Sequence, residues 1–248
     1  MLKKERQAYI LQQINLHNKV LSTDLCTQLN VSEDTVRRDL QELAEEGKLV
    51  KVHGGALSTS YHISFNNTNI YSLPEKQRIA HKTLPLIKDG MVILLSGGTT
   101  IRELIKSLPE NLSATFITVS VSSALELLDH PNCEVIFIGN KLNKSAQISV
   151  GAEVIEKLKY IKADLCILGT NSIHPTEGIT DLEWEIIEVK KAMIQASTKV
   201  VSLAISEKLN SVQKYKVCPT YAIHYLITEL EPSAAELSAY ALAGVQVL

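Results

Sequence analysis

Cysteine is sparse in this chain, and the four present, Cys26, Cys133, Cys166 and Cys218, stand far apart and mostly within apolar runs. Such spacing supplies neither a zinc knuckle nor a disulfide framework, so buried free thiols are expected and a metal site is not. No apolar run reaches the length that spans a bilayer. No secretory leader is evident, because MLKKERQAYI runs directly into an amphipathic pattern; a cytoplasmic protein with no membrane partner is the expectation. Repeats and low-complexity tracts are lacking too. So is a basic excess: 25 Lys and Arg stand against 27 Asp and Glu, a net charge of −2. That balance argues against broad affinity for nucleic acid and leaves the matter to locally placed cations.

The 248 residues, 45% apolar and 21% charged, have the composition of a globular chain of one large domain or two. The best-marked stretch is Val31 to Ala56, VSEDTVRRDLQELAEEGKLVKVHGGA. Ser32 is a good N-cap, and Glu33 and Asp34 in the first turn oppose the positive end of a helix dipole. Val36, Leu40 and Leu43 recur at four and three residues as a narrow apolar stripe. Arg38 projects almost opposite that stripe, with Thr35 and Arg37 flanking it. Gly47 stops the helix, Lys48 to His53 alternates like a strand, and Gly54-Gly55 breaks it.

An Arg-Arg pair alone is usually a solvated helix face. The residues in front give it a context. Lys3 to His17 carries Ile10, Leu11 and Ile14 at helical spacing, and Lys3, Lys4 and Arg6 at its start are within reach of phosphates. Val20-Leu21 suits an edge strand. Ser22-Thr23-Asp24 is able to cap a short helix bearing Leu25 and Leu29, which Asn30 ends in the left-handed conformation. Two short helices joined by a tight turn and followed by a hairpin make a winged helix-turn-helix over residues 1–57, whose second helix enters a major groove. Ser32, Thr35, Arg37 and Arg38 are the expected groove residues on double-stranded DNA, with Lys51 and His53 of the wing near the backbone. Through residue 55 the module is neutral, with eight basic residues (3, 4, 6, 19, 37, 38, 48, 51) and eight acidic ones (5, 24, 33, 34, 39, 42, 45, 46).

Residues 58–74 read as a linker, polar through Asn69 and packed through Tyr61 and Phe65. From 75 to 248 apolar runs of strand length alternate with helical stretches: Met91–Leu95, Ala114–Val119, Cys133–Ile138, Leu165–Leu168, Val200–Ala204 and Tyr221–Ile227 are the strands. Runs without alternation fit strands buried on both faces, and the order predicts a doubly wound α/β domain. Ligands of such domains bind beyond the carboxyl ends of strands. Ser96-Gly97-Gly98-Thr99-Thr100 follows the first run and opens a helix, combining close backbone approach, hydroxyls and a helix N-terminus, the means of holding a phosphate. A simple tight turn is the plainer reading of the two glycines. Thr118 and Ser120 follow the second run, and Lys208 is the cation positioned to meet a phosphate on this rim.

The stretch from Val31 to Ala56 closely resembles the N-terminal signature of the DeoR-type family of bacterial sugar-catabolism repressors. The match runs ungapped through Thr35-Val36-Arg37-Arg38-Asp39-Leu40, Leu43, Gly47, Leu49 and His53-Gly54-Gly55-Ala56. EKQRIA at 75–80, Gly98-Thr99-Thr100, Val150-Gly151, Asp164 with Gly169, Gly178-Ile179-Thr180, VKKAM at 189–193 and SEKL at 206–209 resemble the family's sensor domain. The resemblance implies a sensor similar in fold to ribose-phosphate isomerase and glucosamine-phosphate deaminase. It also implies a phosphorylated sugar effector that loosens the repressor's hold on its operator, and no cofactor. A homo-oligomer, dimer or tetramer, is expected because one short helix reads few bases. Ser96, Val119, Asn140, Ile205 and Glu229 depart from the residues usual in the family, which weakens contacts to sugar hydroxyls. Two rival readings are an isomerase or deaminase carrying a helix-turn-helix, and a constitutive DNA-binding regulator with a degenerate sensor.

Overall fold

Ile10 and Ile14 are wholly withdrawn from water, and the helix that carries them, α1 (Lys3–His17), has the bounds its apolar spacing predicts. The structure is a computed structural model that describes residues 1–17, 19–59 and 70–248. Two units divide it, Met1–Tyr71 and Ser72–Leu248. In the first, β1 (Lys19–Leu21), α2 (Ser22–Leu29), α3 (Glu33–Glu45), β2 (Leu49–Val52) and β3 (Gly55–Ser58) follow α1. The strands form one antiparallel sheet in the order β1-β3-β2, so Val20-Leu21 does pair with the wing. Val36, Leu40 and Leu43 join Ile10, Ile14, Leu25 and Leu49 in a single core.

Helix ends follow the local chemistry, with one correction. Asn30 is left-handed at φ 51°, and Ser32 caps α3 through the Thr35 amide. At the other end Gly47, at φ +68°, lets its own amide reach Ala44 and the Lys48 amide reach Leu43, a Schellman stop. The expected Ser22-Thr23-Asp24 cap is absent: α2 starts at Ser22 itself, with Leu21 at the cap position and no side-chain bond. The Gly54 carbonyl at the wing's tip accepts from the Ser22 amide at 2.8 Å and supplies what a capping hydroxyl would. Most of the expected linker, Tyr61 and Phe65 included, lies outside the described residues.

The second unit runs α4 (Leu73–Thr83), β4 (Val92–Leu95), α5 (Thr99–Lys106), β5 (Thr115–Thr118), α6 (Val121–Leu128), β6 (Glu134–Phe137), β7 (Lys141–Asn143), β8 (Ile148–Val150) and α7 (Ala152–Leu158). It continues through β9 (Ala163–Gly169), β10 (Ser172–His174), β11 (Gly178–Asp181), α8 (Trp184–Gln195), β12 (Ser197–Leu203), β13 (Tyr215–Cys218), β14 (Tyr225–Ile227), α9 (Ser238–Leu242) and β15 (Gln246–Val247). The main sheet has seven strands in the order β15-β14-β12-β9-β4-β5-β6, and its pairings are parallel. Ile93, Leu94 and Leu95 are all wholly buried, as an apolar run without alternation requires of a strand covered on both faces. Leu94, Ile117 and Cys166 pack into one cluster with Val154 and Leu158 of α7 and Ile187 and Met193 of α8. The chain leaves β4 toward β5 and β6, then returns to β9 on its other side. The β4–β9 boundary is therefore the point where strand order reverses, and open α/β sheets take their ligands in a crevice beyond the carboxyl ends of strands at such a point.

Short antiparallel pieces, β7-β8 and β10-β11-β13, flank the sheet and were not anticipated. His174 ends β10 half-buried, its ring accepting from the Thr176 amide at 3.3 Å. All four cysteines are free; Cys166 and Cys218 are buried, Cys26 and Cys133 half-buried. Among the described residues no helix is long and apolar enough to cross a membrane, and no cluster of His, Cys, Asp or Glu is arranged to hold a metal.

Candidate functional site

Helix α3 presents two unlike faces. Val36, Leu40 and Leu43 lie inward, while Arg37, Arg38 and Gln41 are exposed. Arg38 pairs only loosely with Asp34, at 4.0 Å between two well-solvated side chains, so its guanidinium is available to another partner. Ser32 and Thr35 share a hydroxyl–hydroxyl bond of 2.9 Å at the helix start, with Ser32 exposed beside them. From the wing, Lys51 Nζ donates to Gln41 Oε1 at 2.9 Å, and the Gln41 amide donates to Glu45 at 2.7 Å. These bonds hold strand and helix together around an open depression of about 510 Å³, lined by Arg37, Arg38, Gln41, Glu42 and Lys51. His53 sits exposed at the hairpin tip with Gly54, whose φ of +76° lets a two-residue turn close. Gln41 escaped the sequence reading, although it lies four residues after Arg37 and three after Arg38 on the same face.

The module's neutral charge has a structural resolution. Asp39 is not on the outer face: it is 1% exposed, between α3 and α1, and takes a two-point bond from Arg6 at 2.5 and 3.2 Å. The bond to Asp39 pushes the Arg6 guanidinium above its ordinary pKa against the cost of burial. Glu42 is held by Lys3 at 2.7 Å and Gln7 at 2.8 Å, and the Lys3 bond lowers its carboxyl below the usual range. Arg6 and Lys3, expected within reach of phosphates, therefore serve α3 instead. Their work cancels acids that would otherwise repel a phosphate backbone, leaving Arg37, Arg38 and Lys51 to set the local field.

In the second unit the crevice is built around backbone. Gly98, at φ +113°, caps α5 without a side chain and is exposed, so no side chain caps the first amides of α5. Thr99 is half-buried and Thr100 buried at that helix start. Gly97 presses on Ser120, where a Cβ would fall 2.9 Å from the hydroxyl. Gly169, ending β9, leaves no room for a Cβ, which would fall 2.7 Å from the Gly97 carbonyl. Ser96, Thr118 and Ser120 are wholly buried and committed internally, which corrects their expected part in ligand contact. Ser96 Oγ accepts the Gly169 amide at 2.8 Å, Thr118 Oγ1 donates to the Leu95 carbonyl at 2.8 Å, and Ser120 Oγ caps α6 through the Ser123 amide. They shape the loop.

Two ammonium groups converge on successive carbonyls at the end of β9. Lys190 Nζ lies 3.4 Å from the Gly169 carbonyl and 2.7 Å from Asp181 Oδ2, and Lys208 Nζ lies 3.1 Å from the Thr170 carbonyl. Burial drives the Lys208 ammonium down to about 7, helped by the charges of Lys76 and Lys190 and opposed by Asp181 and Glu207. Lys76, on α4 and 6% exposed, is pushed down to about 8 by burial, against the pull of Glu103, Glu75 and Glu207. Asp181 would be raised by its burial, but Lys190 outweighs that and holds it below the usual carboxylate range. Asp181 ends β11 and is paired with Lys190. Lys76 and Lys190 were also missed as crevice residues, since each fits the polar positions of an ordinary helix. Glu229 accepts from the Ser206 amide at 3.0 Å and so steadies the turn that carries Lys208.

A winged helix followed in the chain by an α/β domain with a lysine-lined crevice is the plan of a DNA-binding transcriptional regulator with a sensor domain. Residues 6–61 match the DeoR-like helix-turn-helix domain, and residues 72–230 match the DeoR C terminal sensor domain. The chain belongs to the DeoR family. It is similar to the HTH-type transcriptional repressor GlcR of Bacillus subtilis, 33% identical over all of this chain and 96% of that one. The HTH-type transcriptional regulator GolR of Listeria innocua is 31% identical over 98% of this chain and 97% of its own. Both relatives are named as regulators, and the chain is a regulator of transcription rather than an enzyme. Among solved structures, a D-ribose-5-phosphate isomerase in complex with phospho-erythronic acid aligns with a TM-score of 0.40 at 19% identity, covering 54% of this chain and 52% of that one. The eIF2B delta of Chaetomium thermophilum aligns with a TM-score of 0.46 at 18% identity, covering 82% and 66%.

Proposed function

We propose that this chain is a cytoplasmic repressor of a carbohydrate-catabolism operon, bound to double-stranded operator DNA as a homo-oligomer and released by a phosphorylated sugar in its second unit. The effector half of this reading rests on one observation above the rest: Lys190 and Lys208 meet at the end of β9, where Gly169 abuts the Gly97–Thr100 loop. Amides at a helix start without a side-chain cap and ammonium groups at a strand switch suit a phosphate dianion. Carbonyls accepting from those ammoniums leave part of each donor set for a ligand, since an ammonium carries three N–H groups. Repression is supported by the name of GlcR, and the DNA-facing roles of Ser32, Thr35, Arg37, Arg38, Lys51 and His53 by the exposed face of α3 and its wing.

A thermal-shift screen of sugar phosphates against the same sugars without phosphate tests the effector. A phosphorylated ligand at 100 times its dissociation constant should stabilise by about 2.7 kcal/mol, and its unphosphorylated parent should not. Added to an operator titration with the DNA upstream of the chain's own gene, that ligand should weaken binding. Operator binding that no sugar phosphate alters would favour the constitutive regulator, a reading to which the departures at Ser96, Val119, Asn140, Ile205 and Glu229 lend weight.

A further inference from the structure

Helix α3 carries one side chain whose orientation is fixed by chemistry at both ends. Gln41 Oε1 accepts from Lys51 Nζ at 2.9 Å, and Gln41 Nε2 donates to Glu45 Oε1 at 2.7 Å. An ammonium only donates and a carboxylate only accepts. Turned through half a revolution, the amide would set donor against donor at Lys51 and acceptor against acceptor at Glu45. Its sense is therefore set before any ligand arrives. Both braces stand on regular structure: Lys51 lies in β2, in register with Ala56 of β3, and Glu45 is one helical turn beyond Gln41.

This happens on the face of α3 turned away from the core. At about 100° per residue, Gln41 falls between Arg37 and Arg38 around the helix axis, away from Val36, Leu40 and Leu43. Arg37, Arg38, Gln41 and Lys51 are all exposed and line the same open depression. The braces leave capacity unused. An amide oxygen accepts two bonds and an amide nitrogen donates two, so one acceptor site and one N–H remain. Base edges in a major groove differ in what they offer to that pair. Adenine presents N7 as acceptor and an N6–H donor, and so matches both. Guanine presents two acceptors, thymine an acceptor beside a methyl group, and cytosine a donor, and each leaves half of the pair unmet.

We propose that Gln41 reads an adenine in the operator, with Lys51 and Glu45 as the positioning residues that hold its amide to that base. The assignment rests on the reading that α3 enters a major groove; it adds the base and the atoms that recognise it. A free glutamine loses rotamer entropy when it meets a base, whereas a braced one has lost it already. Lys51, expected beside the phosphate backbone, acts here through the side chain that reads the base.

Selection from a random pool of double-stranded DNA by the full chain supplies the motif, and fluorescence anisotropy at fixed salt then measures single sites. The wild type should enrich a motif with an adenine whose exchange for another base weakens binding about 5- to 100-fold, the span of one bidentate pair. At that position 7-deazaadenine, which lacks the N7 acceptor and keeps the N6 amine, should weaken it as well. Gln41→Ala should abolish both penalties there and keep the preferences elsewhere in the motif. Lys51→Met should shrink the same penalties and add nothing in the Gln41→Ala background. Gln41 is exposed, and the 7-deazaadenine measurement on the wild type needs no variant. A Gln41→Ala protein that enriches the wild-type motif unchanged overturns the proposal and leaves the groove reading of α3 intact. So does a wild type indifferent to 7-deazaadenine at every adenine of its motif. A Lys51→Met protein that binds every site equally more weakly makes Lys51 a phosphate contact and overturns its positioning role. A wild type that enriches no motif at all removes the groove reading itself, and the proposal with it.

Discussion

The cations proposed to face DNA and those proposed to meet the effector are arranged in opposite ways. Arg37, Arg38 and Lys51 are exposed, and the acids near them are drawn off by α1. Lys76 and Lys190 are buried and Lys208 half-buried, with Asp181 directly paired to one of them. Exposed cations bind a polyanion through many weak, salt-sensitive contacts and lose little hydration until it arrives. Buried ones have lost hydration already, so a ligand that restores their charge gains more from each. A long polymer and a small anion thus call for different placements of the same chemistry.

The largest effect separating the two regions should come from Asp181→Asn. This removes the counter-charge from Lys190, which is 5% exposed, and a broken buried pair costs about 3–5 kcal/mol. Urea unfolding followed by the single tryptophan, Trp184 in the second unit, should show that loss. A midpoint unchanged from wild type would mean that Lys190 discharges at no cost and that the contrast with the DNA face is overstated.

Next come Gly98→Val and Lys208→Ala. Valine disfavours the +113° backbone of Gly98 and fills the space before the amides, while alanine removes a charged donor whose loss costs about 1.5–3 kcal/mol of ligand binding. Operator affinity without ligand should remain at the wild-type value, and release by the sugar phosphate should fail. Arg38→Ala should do the converse: about 1–3 kcal/mol of operator affinity lost, with relaxed preference at one base, and the thermal shift by ligand unchanged. Any of these three variants altering both readouts would erase the division of labour.

Proton linkage sharpens the comparison further. Burial depresses Lys208 to about 7 and Lys76 to about 8, from the ordinary lysine value of 10.5. Between those values the unfolded chain holds more protons than the folded one, so these groups make stability rise with pH. A phosphate dianion favours the ammonium forms and takes up protons as it binds. Its affinity should therefore increase as pH falls from 9 toward 7, by at most about tenfold per unit for each proton, before the phosphate itself titrates near 6. Calorimetry in buffers of different ionisation enthalpy measures the uptake directly; none taken up at pH 8 would place the anion away from both lysines. The smallest effect belongs to the solvated pair: Asp34→Asn beside Arg38 should shift stability by less than about 0.5 kcal/mol.

The alternation of apolar runs and helices was enough to read the doubly wound sheet, because Ile93, Leu94 and Leu95 have no polar alternate that a half-exposed strand would need. The winged helix was legible because its punctuation, Asn30, Ser32, Gly47 and Gly54, is set by local backbone chemistry. Three- and four-residue strands such as β7 and β10 carry too few positions to show a period. The sequence marks Gly97–Thr100 as the loop between β4 and α5, yet Ser96, Thr118 and Ser120 bond inward, since a hydroxyl at a strand end finds backbone within reach as readily as ligand. Pairings between distant residues, Arg6 with Asp39 or Lys76 with the crevice, leave no mark on sequence spacing, and burial of a lysine is visible only once the helices are packed.

The β4–β9 boundary has a further consequence, for the birth of the molecule rather than its operation. Joining these strands closes a long stretch of chain: the Val92 amide bonds to the Asp164 carboxylate 72 residues away, and β12 and β14 add to that seam still later. Long-range parallel pairing is slow, whereas the winged helix is assembled from short-range contacts and leaves the ribosome first. Each newly made chain therefore passes through an interval in which its helix-turn-helix unit is folded and its seven-stranded sheet is not yet formed. During synthesis, the helix-turn-helix is complete before the sheet behind it has closed.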